Sequence, residues 1–275
     1  MDRSSALGIL IAVGGILTGL LMDGGNIGQI MQPTAALIVF GGTLGAIMLQ
    51  FPLDLVIRSF GELKTVFLFK EPDLQKLIDQ IVGFAQKARK EGIVALDKDL
   101  DSISEPFLRK TVMLAVDGTQ PAELRNNMEV EMGNHSEQAE KVVQVYEAAG
   151  GFSPTVGIIG AILGLIQVMQ HLDNITEVGR GIAVAFVATI YGVAIANLAL
   201  LPISGKLRLR RRQNDLQREM MLEGVVGILE GLNPRMLQTK LSGYLDPNAE
   251  KKAVAASNKA AKGEAAPEMA RAAQG

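Results

Sequence analysis

Four runs of apolar residues, Ala6–Met22, Pro33–Leu49, Phe152–Met169 and Gly181–Leu201, limit what this chain can fold into, because none of them holds an acidic or basic side chain. Each is close to the roughly 17–25 residues that carry a helix across the hydrocarbon core of a bilayer. In that solvent an isolated segment satisfies its backbone polar groups only as a helix. The expected fold class is therefore all-α: an integral membrane protein with four transmembrane helices and a helical cytoplasmic domain. The first run is too long for a secretory h-region, lacks a small-x-small cleavage pattern at Met22-Asp23-Gly24-Gly25, and is followed at once by another span. It reads as a retained anchor.

Charge sets the expected topology. The connection DGGNIGQIMQ between the first two runs has no Lys or Arg, whereas the segment 51–151 and the chain after Leu201 carry nearly all the basic residues. The positive-inside rule places the long loop, the tail and both termini in the cytoplasm, with the short connections outside. Lys206, Arg208, Arg210, Arg211 and Arg212 follow the fourth run directly and read as a topology anchor beside anionic lipid rather than as a nucleic-acid patch. Arg180 votes the other way, as a residue snorkelling at the mouth of the fourth run.

The organisation follows. A hairpin occupies 1–50, with spans at 6–22 and 33–50; a helical cytoplasmic domain fills 51–151; the third and fourth spans fill 152–202; a cytoplasmic helical region covers 203–245; and a disordered tail runs over 246–275. Within the long loop, Leu74, Leu77, Ile78, Ile81, Val82, Ala85 and Ala88 recur at helical spacing after Pro72, with Gly92 as C-cap. A short helix over Phe107–Val116 stops at Asp117-Gly118. A long acidic helix from Pro121 to Ala149 leads through Gly150-Gly151 toward the third span, and Gln213–Leu232 is helical again.

Glycines four apart, Gly15 with Gly19, Gly41 with Gly45, and Gly160 with Gly164 after Gly157, predict close helix–helix contacts in lipid. Thr155, Gln167, Thr189, Tyr191 and Asn197 add polar groups to the third and fourth spans, which reads as an internal polar seam; for any one of them, a bond to its own helix backbone is an equal reading. No Asp, Glu, Lys, Arg or His lies inside a span. Ion conduction through a protonated group then requires a carboxylate from another chain, so an obligatory membrane partner is expected. Pro154 and Pro202 sit at the same membrane face, as helix-end punctuation or as a hinge pair. Without any cysteine, disulfides and thiolate metal sites are excluded. Only His135 and His171 offer imidazole, so no metal or cofactor is expected.

GGFSPTVGIIGAILGLIQVM at 150–169, AVAFVATIYGVAIANL at 183–198, ARKEGIVALD at 88–97 and EGLNPRMLQTKLSGYL at 230–245 resemble the flagellar motor stator subunits MotA and PomA, within the wider group that includes TolQ and ExbB. Four spans with the large loop between the second and third fit the MotA type; TolQ and ExbB have three. The resemblance implies a pentameric ring around a MotB-like single-span, peptidoglycan-binding partner that carries the missing aspartate and the plug against premature leakage. It also implies torque delivered to the rotor protein FliG. On this reading Pro154 and Pro202 match the family's torque-coupling prolines, and Arg89, Lys90 and Asp97 match its rotor-facing charges, with Asp97 a departure from the usual Glu. Thr155, Ala161, Thr189 and Tyr191 fall on the ion pathway. Sodium-driven relatives place a threonine where Ala161 stands, so H+ is the expected ion.

Three other readings compete. A TolQ- or ExbB-like energiser of another envelope machine would share the last two spans but lack the first hairpin and the ARKEG segment. A membrane enzyme would need a catalytic cluster, and His171 with Asp173 is the nearest approach to one. A non-conducting scaffold is the plain third choice, and partner-dependent flux would separate it from a stator.

Overall fold

A computed structural model describes residues 3–68 and 73–245; the helix start at Pro72 and the tail at 246–275 lie outside the described residues. The described residues are helical, with no strand among them, as the apolar runs require. The elements are α1 (Arg3–Met22), α2 (Pro33–Gln50), α3 (Leu53–Leu68), α4 (Leu74–Glu91), α5 (Pro106–Val116), α6 (Pro121–Gln170), α7 (Ile175–Leu229) and α8 (Pro234–Ser242). Tight 3₁₀ turns cover Ile27–Ile30 and Ile93–Ser102, and π-turns interrupt α2 at Leu37–Gly41 and α7 at Ala196–Leu200. Helices α1, α2, α6 and α7 are long and apolar enough to cross a membrane.

Two helices are longer than their apolar runs. α6 does not pause at Gly150-Gly151 but continues as one element of 50 residues. Glycine weakens a helix in water, yet where no water competes the intrahelical bond is the best available partner for each peptide group. Gly150 also has a packing reason to be there: a Cβ would sit 2.6 Å from Leu201 Cδ2. α7 likewise runs from the fourth span through the basic cluster to Leu229, where Gly231, at φ +73°, ends it.

The described residues fall into two compact units, each built from two stretches of chain: 3–68 with 135–212, and 73–134 with 213–245. In the first, Ala35 and Val39 of α2 pack with Val184, Val187 and Ala188 of α7, while Val66, Val142, Tyr146 and Leu207 join α3, α6 and α7. The Tyr146 hydroxyl donates to the Ser59 carbonyl at 2.8 Å. α1 contributes no buried residue.

The second unit has the larger core, in which Ile78, Ile81, Leu108, Leu124, Met221 and Leu241 are almost fully buried. Its helices start and stop for local reasons. The Asp73 carboxylate accepts the Lys76 N–H at 3.3 Å as N-cap of α4, and Gly92, at φ +87°, closes α4 as its place after the periodic stretch predicts. Glu223 pairs with both Arg125 and Lys240, the latter at 2.5 Å. These hydrogen bonds, Arg125's first, hold its carboxyl below the usual carboxylate range despite partial burial.

Candidate functional site

The membrane-level parts of α6 and α7 meet along a seam of very small residues. A Cβ at Gly164 would stand 2.7 Å from the Gly181 carbonyl and 2.8 Å from Ala185 N; at Gly157, 2.9 Å from the Ala188 carbonyl; at Gly192, 2.5 Å from the Ser153 carbonyl and 3.2 Å from Pro154 Cα. The opposing atoms are backbone, which cannot swing aside, so the two helices can lie this close only because both surfaces lack side chains. The run Gly157, Gly160 and Gly164 was legible as one half of such a contact. Its other half, Gly181 with Ala185 and Ala188 with Gly192, has small residues at the same spacing but pairs glycine with alanine, and was missed.

The other glycine pairs behave differently. A Cβ at Gly15, Gly19, Gly41 or Gly45 would meet nothing within 4 Å, so these pairs mediate no helix contact within one chain. On α2 it is Gly42 that is filled, by Val156 Cγ1 at 2.7 Å.

Both singled-out prolines lie inside long helices, not at helix ends. Pro154 interrupts α6 and, having no N–H, leaves the Gly150 carbonyl without its intrahelical donor. Pro202 follows the π-turn of α7, where the Leu201 N–H reaches back to the Ala196 carbonyl; the wider turn accommodates the missing donor. The two places touch through Gly150 and Leu201, so each helix has a weakened backbone where it faces the other.

The polar residues of these spans do not form a seam inside the chain. Thr155, Gln167 and Asn197 are exposed and Thr189 is half-buried. Thr155 donates to the Phe152 carbonyl at 2.7 Å, Thr189 to Ala185 at 3.1 Å and Asn197 to Val193 at 2.9 Å, each within its own helix. Ala161 is half-buried beside the seam. The Tyr191 hydroxyl donates to the Ile30 carbonyl at 2.5 Å and accepts the Gln32 N–H at 3.3 Å, with its ring stacked on Phe40. It fastens α7 to the entry of α2. Ser153 and Thr43 went unremarked in the sequence, yet both are buried hydroxyls, and neither Oγ has a hydrogen-bond partner among the described residues. A hydroxyl in an apolar run is easy to read; which face it takes is not.

Three arginines of the basic cluster after the fourth span have protein partners. Arg208 lies 2.8 Å from Glu147 and 3.3 Å from Glu140, Arg211 lies 2.6 Å from Glu140, and Arg210, 7% exposed, donates to the Val66 carbonyl at 2.7 Å. The Glu140 and Glu147 carboxylates hold the Arg208 guanidinium above its usual pKa. Arg180 pairs with Glu177 at 3.4 Å, and His171 Nδ1 lies 3.0 Å from the Gln167 carbonyl rather than on Asp173.

In the second unit Arg89 and Lys90 occupy the last turn of α4 and Asp97 the following 3₁₀ turn. All three are exposed, as is Val94 between them. Among the described residues no group of His, Cys, Asp or Glu is placed to hold a metal ion.

This arrangement offers close packing, two weakened helices and exposed charges, with no acid–base pair. The model of the MotA/TolQ/ExbB proton channel family matches residues 99–220, and that of the motility protein A N-terminal region matches 6–92. Motility protein A of Bacillus subtilis (strain 168) is 33% identical over 89% of this chain and 91% of its own length. Chemotaxis protein PomA of Vibrio alginolyticus is 32% identical over 90% and 96%. A solved structure of C. jejuni MotAB superposes with a TM-score of 0.85 at 32% identity, covering 90% of this chain and 97% of the other.

Proposed function

Because the chain belongs to the MotA/TolQ/ExbB proton channel family, we propose that it is the channel-side subunit of a flagellar stator, working in a multi-pass complex of the bacterial inner membrane. The observation that carries the reading is a combination: an α6–α7 pair packed backbone to backbone, and apolar spans without one Asp, Glu, Lys, Arg or His. Such spans supply no carboxylate or imidazole to hold a proton. The carboxylate comes from a MotB-like single-span partner, around which copies of this chain form a ring, here taken as pentameric.

Thr155, Ala161 and Thr189 belong to the surfaces of α6 and α7 that meet the partner, with Tyr191 holding α7 in place. The threonine hydroxyls already donate to their own helices, so their oxygens keep lone pairs that serve water or a cation alike. Ala161 adds no oxygen, and this favours H+ over Na+. Protonation of the partner's carboxylate removes a charge from the pathway. α6 and α7 then shift at Pro154 and Pro202, where their hydrogen-bond ladders are already incomplete. Arg89, Lys90 and Asp97 pass the motion to the rotor protein FliG. Both termini are cytoplasmic, on the side of the basic residues.

The match of the motility protein A N-terminal region over 6–92 favours a stator over a TolQ-like energiser, which lacks that hairpin. Ion flux tests the reading. Cells expressing this chain with a plug-deleted partner should acidify, and the acidification should need both chains and ignore external sodium. Sodium-dependent flux would overturn the ion assignment, and no flux in an assembled complex would leave only a scaffold.

A further inference from the structure

The first unit contains a cavity of about 500 Å³ between the start of α1, the end of α3 and the π-turn region of α7. That size lies within the usual range for small-ligand sites, roughly 300–1,000 Å³. Ile9 and Ala12 of α1, Leu63 of α3 and Leu198 of α7 supply apolar walls. The space exists because α1 packs only loosely, with no fully buried residue among Ser4–Met22, and because Gly8 on the cavity wall has no side chain to fill it.

Its charged group and both serine hydroxyls lie at one end, with the Asn197 amide further along the α7 wall. α1 and α7 run in opposite directions there, so Ser4 and Ser5, the first lining residues of α1, meet Lys206, the last lining residue of α7, and Lys206 Nζ lies 3.4 Å from Ser4 Oγ. From Ser4 to Ala12 the helical rise gives a slot about 12 Å deep, with a cation and two hydroxyls at its mouth.

We propose that this cavity is a phospholipid site, holding the upper part of an acyl chain between α1 and α7 and an anionic headgroup at Lys206, Ser4 and Ser5. The chemistry is that of a lipid at the membrane boundary: an apolar slot at span depth, closed at its boundary end by an amine on a flexible stem. Lys206 is the residue of the basic cluster that lines this slot. The choice of an anionic lipid rests on the cytoplasmic assignment of that end, since anionic lipid is concentrated in that leaflet.

The chain has no tryptophan, so one introduced indole reports its own surroundings. In full-length protein carrying Ile9→Trp, reconstituted in phosphatidylcholine vesicles, fluorescence is titrated with brominated phosphatidylglycerol or brominated phosphatidylcholine. We expect half-quenching at about fivefold less of the anionic lipid, the preference that about 1 kcal/mol from one lysine near the membrane surface supports. Lys206→Gln in the same background should erase that preference. Ile11→Trp, 68% exposed and outside the cavity, should be quenched equally by both lipids. Equal quenching at Ile9→Trp, or a preference that survives Lys206→Gln, overturns the headgroup assignment. No quenching at Ile9→Trp while Ile11→Trp is quenched means that a second copy of the chain fills the slot, and the lipid site is refuted. The assay needs neither partner nor ion flow, so the lipid site and the stator reading can fail separately.

Discussion

Gly192→Ala is the sharpest test of the seam. The added methyl carbon would lie 2.5 Å from the Ser153 carbonyl, about 0.9 Å inside the 3.4 Å where ordinary contact begins, and it would also press on Gly157 Cα at 3.1 Å and Pro154 Cα at 3.2 Å. Since all three opposing atoms are backbone, only separation of α6 from α7 relieves the clash. Overpacking of this kind costs about 1–3 kcal/mol, against which alanine's better helix propensity returns at most about 1 kcal/mol. Gly179→Ala is the matched control, because a Cβ there meets nothing within 4 Å and only the propensity gain remains. With partner co-expressed, Gly192→Ala should lower the midpoint of thermal unfolding of the purified complex and abolish most flux and swimming, while Gly179→Ala leaves all three near wild type. If the two variants behave alike, the close approach of α6 and α7 does not control the pathway and the seam argument is wrong.

Other outcomes follow from single contacts. Tyr191→Phe keeps the stack on Phe40 but loses the bonds to Ile30 and Gln32; a loss of about 0.5–1.5 kcal/mol should appear in denaturant unfolding, with flux retained. Glu223 titrates below its usual value when folded, so its contribution is fully present above the unfolded pKa near about 4.3 and is lost as pH falls through the lower folded value. Thermal unfolding of Glu223→Gln should therefore lie below wild type from pH 5 to 8 and converge on it under stronger acid. Arg89→Ala with Lys90→Ala should leave the unfolding midpoint unchanged, because both side chains are exposed, yet reduce swimming without reducing flux. Equal loss of flux would remove them from the rotor side.

The apolar runs made the number of spans and the all-helical class legible, because in lipid a stretch of about 20 apolar residues has few other options. Caps such as Gly92 and Gly118 were readable for the same reason that they work: at φ +87° and +85° they hold conformations that side chains resist. What escaped was partnership. The glycine pair Gly15 and Gly19 has the spacing of a contact and makes none in this chain, whereas Gly181 and Gly192, whose partners at four-residue spacing are alanines, lie against the facing helix, where a Cβ would stand 2.8 Å and 2.5 Å from backbone carbonyls. Spacing fixes one face of one helix, and pairing needs two. The basic cluster gave the side of the membrane as a prediction but not the destination of its guanidinium groups, since Glu140 and Glu147 lie about 60–70 residues earlier in the chain. Pro154 and Pro202 looked like ends because proline ends helices in water; in the spans the helix runs on, and the proline becomes a weak point within it.

The second unit draws its core from both sides of the membrane hairpin: Ile78, Leu108 and Leu124 come before the third span, and Met220, Met221, Val225 and Leu241 after the fourth. During synthesis the first group must wait while the ribosome produces 152–202, and the second group can join it only if both spans have been threaded. One failed crossing would strand the two groups in different compartments, leaving the early half with its apolar face bare. The core can therefore close only when both stretches lie on the same side of the membrane.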